Sequence, residues 1–274
     1  MFEFSKPIIV SAHQPNFLPY LGFFDKMKNS DIFVIRDEVL FIEKDYHQRN
    51  RIRINGNDNL NNPQFKWLKV PVINVNNYIL HIPIKKDFKE KKTLWNEKIL
   101  VDLKAAYMGA KFFNDFFPAF EDIFDNSDEK LISLNMKIIS LLKNAFEIKT
   151  KIIFASELNL KAEKYDSENK NDASEDLAEI CKKLNADVYL SGEGGKNYLN
   201  LEKFKEKEIE VKFQEYKHLV YSQKYPGFLP NMSAIDALFC IGKFPSEKIQ
   251  EKFLQYPKLS KSCVNRENKI SVGQ

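Results

Sequence analysis

The sequence predicts an α/β fold with a Rossmann-like, mostly parallel sheet that is flanked by helices and carries a helical insert. Short apolar runs typical of buried strands alternate with segments of helical period, which favours a parallel sheet. Polar residues crowd the end of several runs, where α/β sheets bind their ligands. The 274 residues, 43% of them hydrophobic, can bury a sizeable core. We predict one domain over residues 1–245, with a helical insert or lid at about 90–150 and a polar tail at 246–274.

The individual elements are predicted from apolar periodicity and from capping residues. Strands are expected at 8–10, 31–35, 67–72, 79–84, 152–154, 187–190 and 209–213, and helices within 16–28, 93–147, 174–184 and 228–242. Pro71 cannot donate to a strand ladder, so its strand is placed at an edge and paired with 79–84. Asn126 with Glu129 resembles a capping box for the last helix of the insert. A long polar loop is expected at 161–173.

Polar side chains follow the first two predicted strands. His13 and Gln14 come after the first strand, and Asp37 and Glu38 come after the second. Because the carboxyl ends of parallel strands meet at one edge, we expect these residues to share one site. His13, with a pKa near its ordinary value, is the candidate general base, and Asp37 or Glu38 would orient it. In the alternative, His13 hydrogen-bonds Asp37 and only fixes the loop.

Three of the five arginines in this lysine-rich chain are Arg49, Arg51 and Arg53. In a strand these three share one face, because side chains alternate with period two. A guanidinium group grips carboxylate or phosphate with two parallel hydrogen bonds, which lysine cannot do. We therefore predict that Arg49 and Arg51 bind an anionic substrate. The alternatives are a solvated basic edge strand or ion pairs with Asp37 and Glu38.

A glycine-rich turn follows strand 187–190 and adds Ser191 and Gly192 to the candidate binding residues. Backbone N–H groups in such a turn suit an anion. The turn lacks the spacing of a P-loop or a dinucleotide fingerprint. In the alternative, it is a tight turn that needs glycine for its backbone angles.

The segment after the last predicted strand is dense in hydrogen-bonding side chains beside the apolar residues 228–230. The candidates there are Tyr216, Tyr221, Gln223, Asn231, Ser233 and Asp236. Small-molecule sites combine apolar walls with a few placed polar groups, so we expect this segment to close the same pocket. Asn231 or Asp236 would contact sugar hydroxyls or support His13. In the alternative, Asn231 or Ser233 caps a core helix and Asp236 complements its dipole.

Six motifs occur in order along the chain: His13-Gln-Pro, Tyr20-Leu-Gly-Phe-Phe-Asp-Lys, Arg49-Asn-Arg-Ile, Trp67-Leu-Lys-Val-Pro-Val, Tyr189-Leu-Ser-Gly and Phe228-Leu-Pro-Asn-Met-Ser-Ala-Ile-Asp-Ala-Leu-Phe. Together they closely resemble the WbqC-like family from about residue 8 to residue 242. Tyr20 and Asn50, which lie within these motifs, join the candidate substrate-binding residues. Leu40 stands where the family commonly has Gln, and Tyr46 where it usually has Trp.

Members of that family lie among bacterial genes for O-antigen and other surface glycans. The resemblance therefore implies a transferase that moves an acyl or aminoacyl (glycyl-like) group onto an amino sugar or a nucleotide sugar. Nucleotidyl transfer or activation through an adenylate is an alternative, because residues 8–28 are similar in order to nucleotidylyltransferase-type Rossmann domains. Phe23 stands where the second His of that motif is expected. A non-catalytic sugar-nucleotide-binding protein would use the same cleft.

The amino-acid composition indicates which classes of ligand the protein binds. The net charge of +4 is too mild to predict nucleic-acid binding, but it suits an anionic ligand such as a nucleotide sugar. The three cysteines lack metal spacing, and no signal peptide or membrane span is predicted, so we expect a cytoplasmic protein. The four histidines show no paired metal spacing, so no metal site is predicted from the protein alone. Mg²⁺ held by Asp37 and a nucleotide phosphate is compatible with the sequence. The sequence does not indicate an oligomeric state.

Overall fold

The computed structural model describes residues 6–56, 64–73, 75–158, 160 and 173–247, and it confirms the predicted α/β fold. The strands are β1 (Ile9–His13), β2 (Ile32–Ile35), β3 (Arg49–Ile54), β4 (Gln64–Lys69), β5 (Lys89–Glu90), β6 (Thr93–Leu94), β7 (Lys151–Phe154), β8 (Val188–Ser191) and β9 (Glu210–Phe213). The helices are α1 (Leu21–Lys28), α2 (Trp95–Tyr107), α3 (Phe113–Asp125), α4 (Leu131–Ala145), α5 (Ala173–Lys183), α6 (Leu201–Lys205) and α7 (Ile235–Ile241).

Five strands form one sheet in the order β7-β2-β1-β8-β9, and every neighbouring pair is parallel. Numbered along the chain within this sheet, the order is 3-2-1-4-5, which is that of a doubly wound Rossmann-type sheet. The chain moves outward from β1 through β2 to β7, and then returns to the other side of β1 for β8 and β9. The strand order therefore reverses between β1 and β8.

Side-chain alternation along the short strands feeds two hydrophobic cores, one on each face of the sheet. Val10 of β1 packs with Leu177 of α5 and Phe204 of α6 in one core. The larger core contains α1, the helices α2 to α4 and α7. His13 lies on the α1 face, where its ring contacts Phe23. Because both faces of the sheet are covered, the strands are continuous apolar runs. Polar groups lie beyond the ends of the strands.

The arginine-containing segment forms a hairpin outside the main sheet, because β3 pairs antiparallel with β4. The predicted pairing of strands 67–72 and 79–84 is confirmed only at the antiparallel bridge between Val72 and Ile84. Residues Ile79–His81 form a 3-10 turn, and a single bridge joins the two segments. Pro71 and Pro83 each lack the N–H group that a continuous ladder would require. The partner of the Trp67 strand is therefore the arginine strand itself.

The predicted helical insert consists of α2, α3 and α4, and their apolar faces share the larger core with the sheet. Asn126 is the C-cap of α3, and the N-cap of α4 is Lys130, so the predicted capping of α4 by Asn126 is wrong. The Asn126 side chain instead donates to Asp122 of the preceding helix at 2.8 Å.

Two predicted segments lie mostly outside the described residues, namely the polar loop at 161–173 and the polar tail at 246–274. Among the helices that are described, none is long and apolar enough to cross a membrane.

Candidate functional site

The C-terminal ends of β1 and β8 lie side by side at one edge of the sheet. Val10 is beside Tyr189 in the parallel register, β1 ends at His13, and β8 ends at Ser191. On the other side of β1, Ile35 of β2 lies beside His13. In doubly wound sheets, ligands bind in the crevice at this reversal of strand order. We call the space beyond these two strand ends the switch-point crevice.

His13 is half-buried, and its environment favours the neutral imidazole. Its ring packs edge-on against Phe23 with 4.9 Å between centroids. Nδ1 lies 2.9 Å from the Gln14 carbonyl oxygen, which can only accept, so Nδ1 carries the proton and Nε2 keeps a lone pair. Burial, followed by the positive charge of Lys26, lowers the pKa of His13 to about 3. The prediction of an ordinary pKa for His13 is therefore wrong.

The loop after β1 is tied to the segment before β3 and to α4. Gln14 Oε1 accepts a hydrogen bond from His47 Nε2 at 2.6 Å. His47 is fully buried, and burial lowers its pKa. Asn135 of α4 donates at 2.8 Å to the carbonyl groups of Pro15 and His47. Gln14 is thus next to the crevice, but its side-chain oxygen is engaged in holding the loop.

Lys26 is a residue of the crevice that was missing from the sequence-derived candidates. It is only 5% exposed, and its Nζ donates to the Ala12 carbonyl oxygen at 2.9 Å. The same Nζ lies 3.9 Å from the position that a Cβ on Gly192 would take, so it sits between the ends of β1 and β8. Burial lowers the pKa of Lys26 to about 7, and among the described residues no carboxylate offsets this effect.

A signal for Lys26 was present in the sequence. Lys26 follows Gly22 by four residues and Phe23 by three, so it shares their face of α1. The other residues that this helix buries are apolar or glycine. Lysine is almost never fully buried without a partner. A single lysine on the inward face of a short helix is therefore a candidate functional residue.

Ser191 and the glycine-rich turn form a second wall of the crevice. A Cβ on Gly195 would come within 2.1 Å of Ser191 Oγ, so close packing requires glycine there. Gly192, Gly194 and Gly195 all lack positive φ angles, so the alternative in which they serve backbone angles is wrong. Within the described part of the chain, the N–H groups of Gly192, Glu193 and Gly194 find no acceptor. Such N–H groups can bind an anion.

The hydrogen bonds of Asp37 and the ion pair of Glu38 are made with residues other than His13. The two carboxylate oxygens of Asp37 accept from Ser156 N at 3.0 Å and from Ser156 Oγ at 2.6 Å. Glu38 is paired with Arg36, and burial raises the pKa of Glu38. The predicted hydrogen bond between His13 and Asp37 is therefore wrong, and no contact supports an orienting role for either acid.

The same hydrogen bonds bear on Mg²⁺. Each oxygen of Asp37 accepts one hydrogen bond from Ser156 and keeps a further lone pair, so these hydrogen bonds do not block a metal ion. Across the described residues, no cluster of three or more His, Cys, Asp or Glu side chains is placed to hold a metal ion. Asp37 therefore offers the single carboxylate that Mg²⁺ with a nucleotide phosphate would need, and that possibility stays a prediction.

Tyr20 connects three parts of the chain around the crevice. Its ring covers Gly22, where a Cβ would approach the ring to 2.3 Å. Burial raises the pKa of Tyr20, and the nearby Asp25, Tyr46 and Glu193 raise it further. These three neighbours come from α1, from the segment before β3 and from the glycine-rich turn. Tyr20 thus lies where these elements meet.

A chain of contacts joins Tyr20 to the C-terminal segment and to the hairpin. The rings of Tyr20 and Tyr216 are 6.2 Å apart. Tyr216 Oη lies 3.3 Å from His218 Nδ1, and His218 Nε2 lies 2.7 Å from Asn231 Oδ1. Arg51 donates to the Asn231 carbonyl oxygen at 3.1 Å. The structure therefore brings Tyr216, Asn231 and Arg51 together on the Tyr20 side of the crevice.

The three arginines of β3 divide into two kinds. Arg49 is half-buried and stacks 4.5 Å from the centre of the Trp67 ring. Arg51 lies 5.1 Å from the Phe65 ring. Arg53 is buried and donates to three backbone carbonyl groups, so it holds the hairpin in place. None of the three forms an ion pair with Asp37 or Glu38, so the alternative in which these arginines pair with those two acids is wrong.

Asp236 and Tyr221 belong to the interior of the fold. Asp236 is fully buried, and its two oxygens accept from Tyr107 Oη at 3.0 Å and Tyr221 Oη at 2.7 Å. Burial raises the pKa of Asp236, although both hydroxyl groups oppose that effect. The predicted support of His13 by Asp236 is wrong, because the carboxylate is fully engaged elsewhere.

Three further candidates also serve the backbone. Asn50 donates to the carbonyl groups of Phe17 and Leu18 at 3.2 Å and 2.7 Å. Gln223 holds both the N–H and the carbonyl of Leu229, at 2.8 Å and 3.0 Å. Ser233 is fully buried just before α7, whose N-cap is the next residue along the chain. Ala234 already has helical backbone angles, and Ser233 Oγ accepts from Ile235 N at 3.4 Å, so the alternative in which Ser233 caps α7 is supported, whereas Asn231 Oδ1 lies beside His218.

The fold and the crevice define a doubly wound α/β protein with polar groups gathered where the strand order reverses. The chain belongs to the WbqC-like protein family, whose model matches residues 14–247, and this confirms the resemblance seen in the motifs. It is similar to the uncharacterized protein Rv1507c of Mycobacterium tuberculosis (strain ATCC 25618 / H37Rv), with 26% identity over 242 residues that cover 85% of this chain and 94% of that protein. No solved structure gives a significant match.

Proposed function

We propose that this protein is a transferase that binds a nucleotide sugar in the switch-point crevice and moves an acyl or aminoacyl group onto a sugar amine. The observation that carries the proposal is the buried Lys26 between the ends of β1 and β8, close to His13. The sugar part of the proposal rests on the family, whose members lie among bacterial genes for O-antigen and other surface glycans. A cytoplasmic location remains a prediction, which cell fractionation would test.

In this proposal Lys26 takes the place of His13 as the proton acceptor. A base with a pKa of about 7 is well matched to proton transfer near neutral pH. The acceptor amine attacks the carbonyl carbon of an activated donor, Lys26 Nζ takes the proton that the nitrogen loses, and the leaving group departs with its bonding electron pair. The Ala12 carbonyl holds one N–H of Lys26 and orients the amine.

His13 has a positioning role in this proposal. A group whose pKa is about 3 is too weak a base to remove a proton from an amine near neutral pH. Its Nε2 lone pair can accept a hydrogen bond from the acceptor amine or from a sugar hydroxyl. Nδ1–H is held by Gln14 O, so the tautomer is fixed before a substrate binds.

Negative charge and hydroxyl groups of the substrate would be bound by the walls of the crevice. The N–H groups of residues 192–194, which have no acceptor among the described residues, suit a phosphate, and Gly192 lies next to Lys26. Arg49 and Arg51 can supply guanidinium forks from the hairpin. Tyr20, Tyr216 and Asn231 are the proposed contacts to sugar hydroxyls.

The proposal is tested first by binding. We expect at least one nucleotide sugar to raise the melting temperature of the parent protein, since a ligand at 100 times its Kd adds about 2.7 kcal/mol. Lys26→Met should reduce this shift, because the amine lies in the crevice, and it should abolish turnover, because the base is lost. Lys28→Met is the matched control, because Lys28 lies on the same helix but is exposed. Parent-like turnover in the Lys26→Met protein would contradict the proposal.

Nucleotidyl transfer is the second candidate, and the 3-2-1-4-5 strand order favours it because such sheets bind nucleotides at the reversal. In that reaction Lys26 would hold phosphate as a cation. Release of pyrophosphate from a nucleoside triphosphate would identify nucleotidyl transfer, whereas transfer of a labelled acyl group to a sugar would identify acyl transfer. Binding without either reaction would identify a non-catalytic binding protein.

A further inference from the structure

The outer face of the β3–β4 hairpin carries exposed aromatic rings that are not needed to anchor it. The hairpin is anchored through its inner face, because Ile52 and Leu68 are buried in the larger core. Phe65 is 41% exposed, Trp67 is 38% exposed, and Tyr46, just before the hairpin, is 40% exposed. The ring of Trp67 lies 6.0 Å from that of Tyr46 and 6.2 Å from that of Phe65. Exposed apolar residues that form a contiguous patch mark an interaction site, whereas scattered ones do not.

Cationic side chains share this face with the rings. Arg51 is paired with Trp67 in the antiparallel register, so both point to the same side of the hairpin. Arg49 and Lys69 are the next pair on that side. Among the described residues, none of these three cations forms an ion pair. The face carries no acidic residue, so its charge is complementary to an anion. We call this surface the hairpin platform; it consists of Tyr46, Arg49, Arg51, Phe65, Trp67 and Lys69.

The platform presents a guanidinium group in a way that suits a phosphate. Arg49 stacks on the Trp67 ring, with 4.5 Å to the ring centre. Stacking through the flat face of a guanidinium leaves its N–H groups at the edge, where they can bind a phosphate with two hydrogen bonds. Stacking also restrains the side chain before a ligand binds, which lowers the entropic cost of binding.

The platform borders the switch-point crevice on the Tyr20 side. Phe17 N, in the loop that leads to Tyr20, donates to the Tyr46 carbonyl oxygen at 2.8 Å. Arg51 donates to the carbonyl oxygen of Asn231 at 3.1 Å. Tyr20 and Asn231 are the residues proposed above to contact sugar hydroxyls. A ligand that lies on the platform can therefore extend towards the place assigned to the sugar.

This combination of rings and cations selects a ligand that is both flat and anionic. A neutral sugar would leave the cations unused, and an aliphatic acid would leave the rings unused. A nucleotide matches both, because any base can stack on an aromatic side chain and the phosphate is anionic. We propose that the hairpin platform binds the nucleotide part of the substrate, with the base against Tyr46 and Trp67 and a phosphate on Arg49. This inference rests on the proposed function, in which the ligand is a nucleotide sugar, and it adds where the base is held.

The test uses nucleoside monophosphates, which lack the sugar that the crevice would bind. The chain has two tryptophans, and Trp95 is only 4% exposed, so a base stacked on the platform should quench the fluorescence of Trp67. We expect uridine, cytidine, adenosine or guanosine monophosphate to quench the parent protein. Trp67→Phe should remove the quenching, while saturation-transfer NMR still detects binding. Trp67→Ala should weaken binding about tenfold.

Tyr78→Ala is the matched control, because Tyr78 is an aromatic residue of similar exposure, 41%, outside the platform. It should bind the monophosphate as the parent does. The nucleoside without its phosphate should bind more weakly than the monophosphate, and this difference should shrink in Arg49→Gln because the guanidinium is lost.

The inference is overturned if no monophosphate binds the parent, or if Trp67→Ala binds as tightly as the parent does. Either result leaves the turnover test of Lys26 unaffected, so failure of this inference can be told apart from failure of the proposed function. Binding of a ten-residue oligouridylate more than about 100-fold tighter than that of uridine monophosphate would assign the platform to single-stranded nucleic acid and would also overturn the inference.

Discussion

The switch-point crevice and the Asp236 cluster are both buried and polar, yet they differ in how their polar atoms are used. Asp236 accepts from two tyrosine hydroxyls, and Tyr107 accepts in turn from the Arg53 N–H at 3.1 Å. Lys26, in contrast, has one carbonyl as its hydrogen-bond partner, and burial alone accounts for its lowered pKa. The Asp236 cluster is complete without a ligand, whereas the crevice retains unused donors and a lone pair.

This difference separates structural from functional polar residues better than residue type does. A satisfied buried network stabilises one arrangement of the core. A buried amine with spare hydrogen-bonding capacity lowers stability, which makes it a candidate functional residue. By this criterion Lys26 ranks above Asp236 as a site residue, although the sequence patterns favoured Asp236.

The largest expected effect is that of Lys26→Met on turnover, which should fall by about 10²–10⁴-fold if Lys26 is the base. The variant should also be more stable than the parent near and below pH 7, because there the parent buries an ammonium group. Between pH 7 and 10.5 the folded parent is neutral while its unfolded chain is still protonated, so this advantage should shrink as pH rises.

Urea denaturation at several pH values measures this change, with Lys28→Met as the control. A stability difference that stays constant from neutral to alkaline pH would show that Lys26 is charged in the fold at all of them. Lys26 would then be a binding cation and not a base.

Asp236→Ala should have the next largest effect, and it should act on stability alone. The change leaves the hydroxyl groups of Tyr107 and Tyr221 buried without their acceptor, which should cost about 2–5 kcal/mol. Tyr221→Phe, which removes one donor, should cost about 1 kcal/mol. Denaturant titration gives both values. If Asp236→Ala abolished turnover at unchanged stability, the cluster would belong to the site and the comparison above would fail.

Gly195→Ala should cost about 1–3 kcal/mol, because the new methyl group would collide with Ser191 Oγ. The double variant Gly195→Ala with Ser191→Ala should recover much of this loss, since the colliding oxygen is gone. The stabilities of the parent, the two single variants and the double variant, measured by thermal unfolding, form a double-mutant cycle. Strict additivity of the two changes would mean that the wall of the crevice is looser than the interior.

Arg49→Lys should have the smallest effect. It retains the charge but loses the fork and part of the stacking on Trp67, so affinity for an anionic ligand should fall about two- to fivefold. Stability should change by less than about 0.5 kcal/mol. Lys212→Arg, at an exposed position of β9, controls for exchange of the two residue types. Isothermal titration calorimetry with a nucleotide sugar that raises the melting temperature measures the affinity. Parent-like affinity would remove Arg49 from the site.

The sequence by itself determined the class of fold and the edge of the sheet where polar residues gather. Apolar runs of strand length, alternating with helices, require a parallel sheet, and parallel strands place their C-terminal ends together. His13 and Ser191 could therefore be assigned to one edge without coordinates. The family could be recognised as well, because its motifs are local strings of residues.

Only the tertiary structure decided which polar residues face the crevice. The role of a buried polar group depends on its partners, and these partners can lie anywhere along the chain. Tyr107 and Asp236 are 129 positions apart, and Asp37 and Ser156 are 119 positions apart. The helical pattern of α1 marks Lys26 as a buried lysine, but only the fold places its amine between the ends of β1 and β8. Periodicity indicates which face of an element is buried, but it carries no information on what that face will meet.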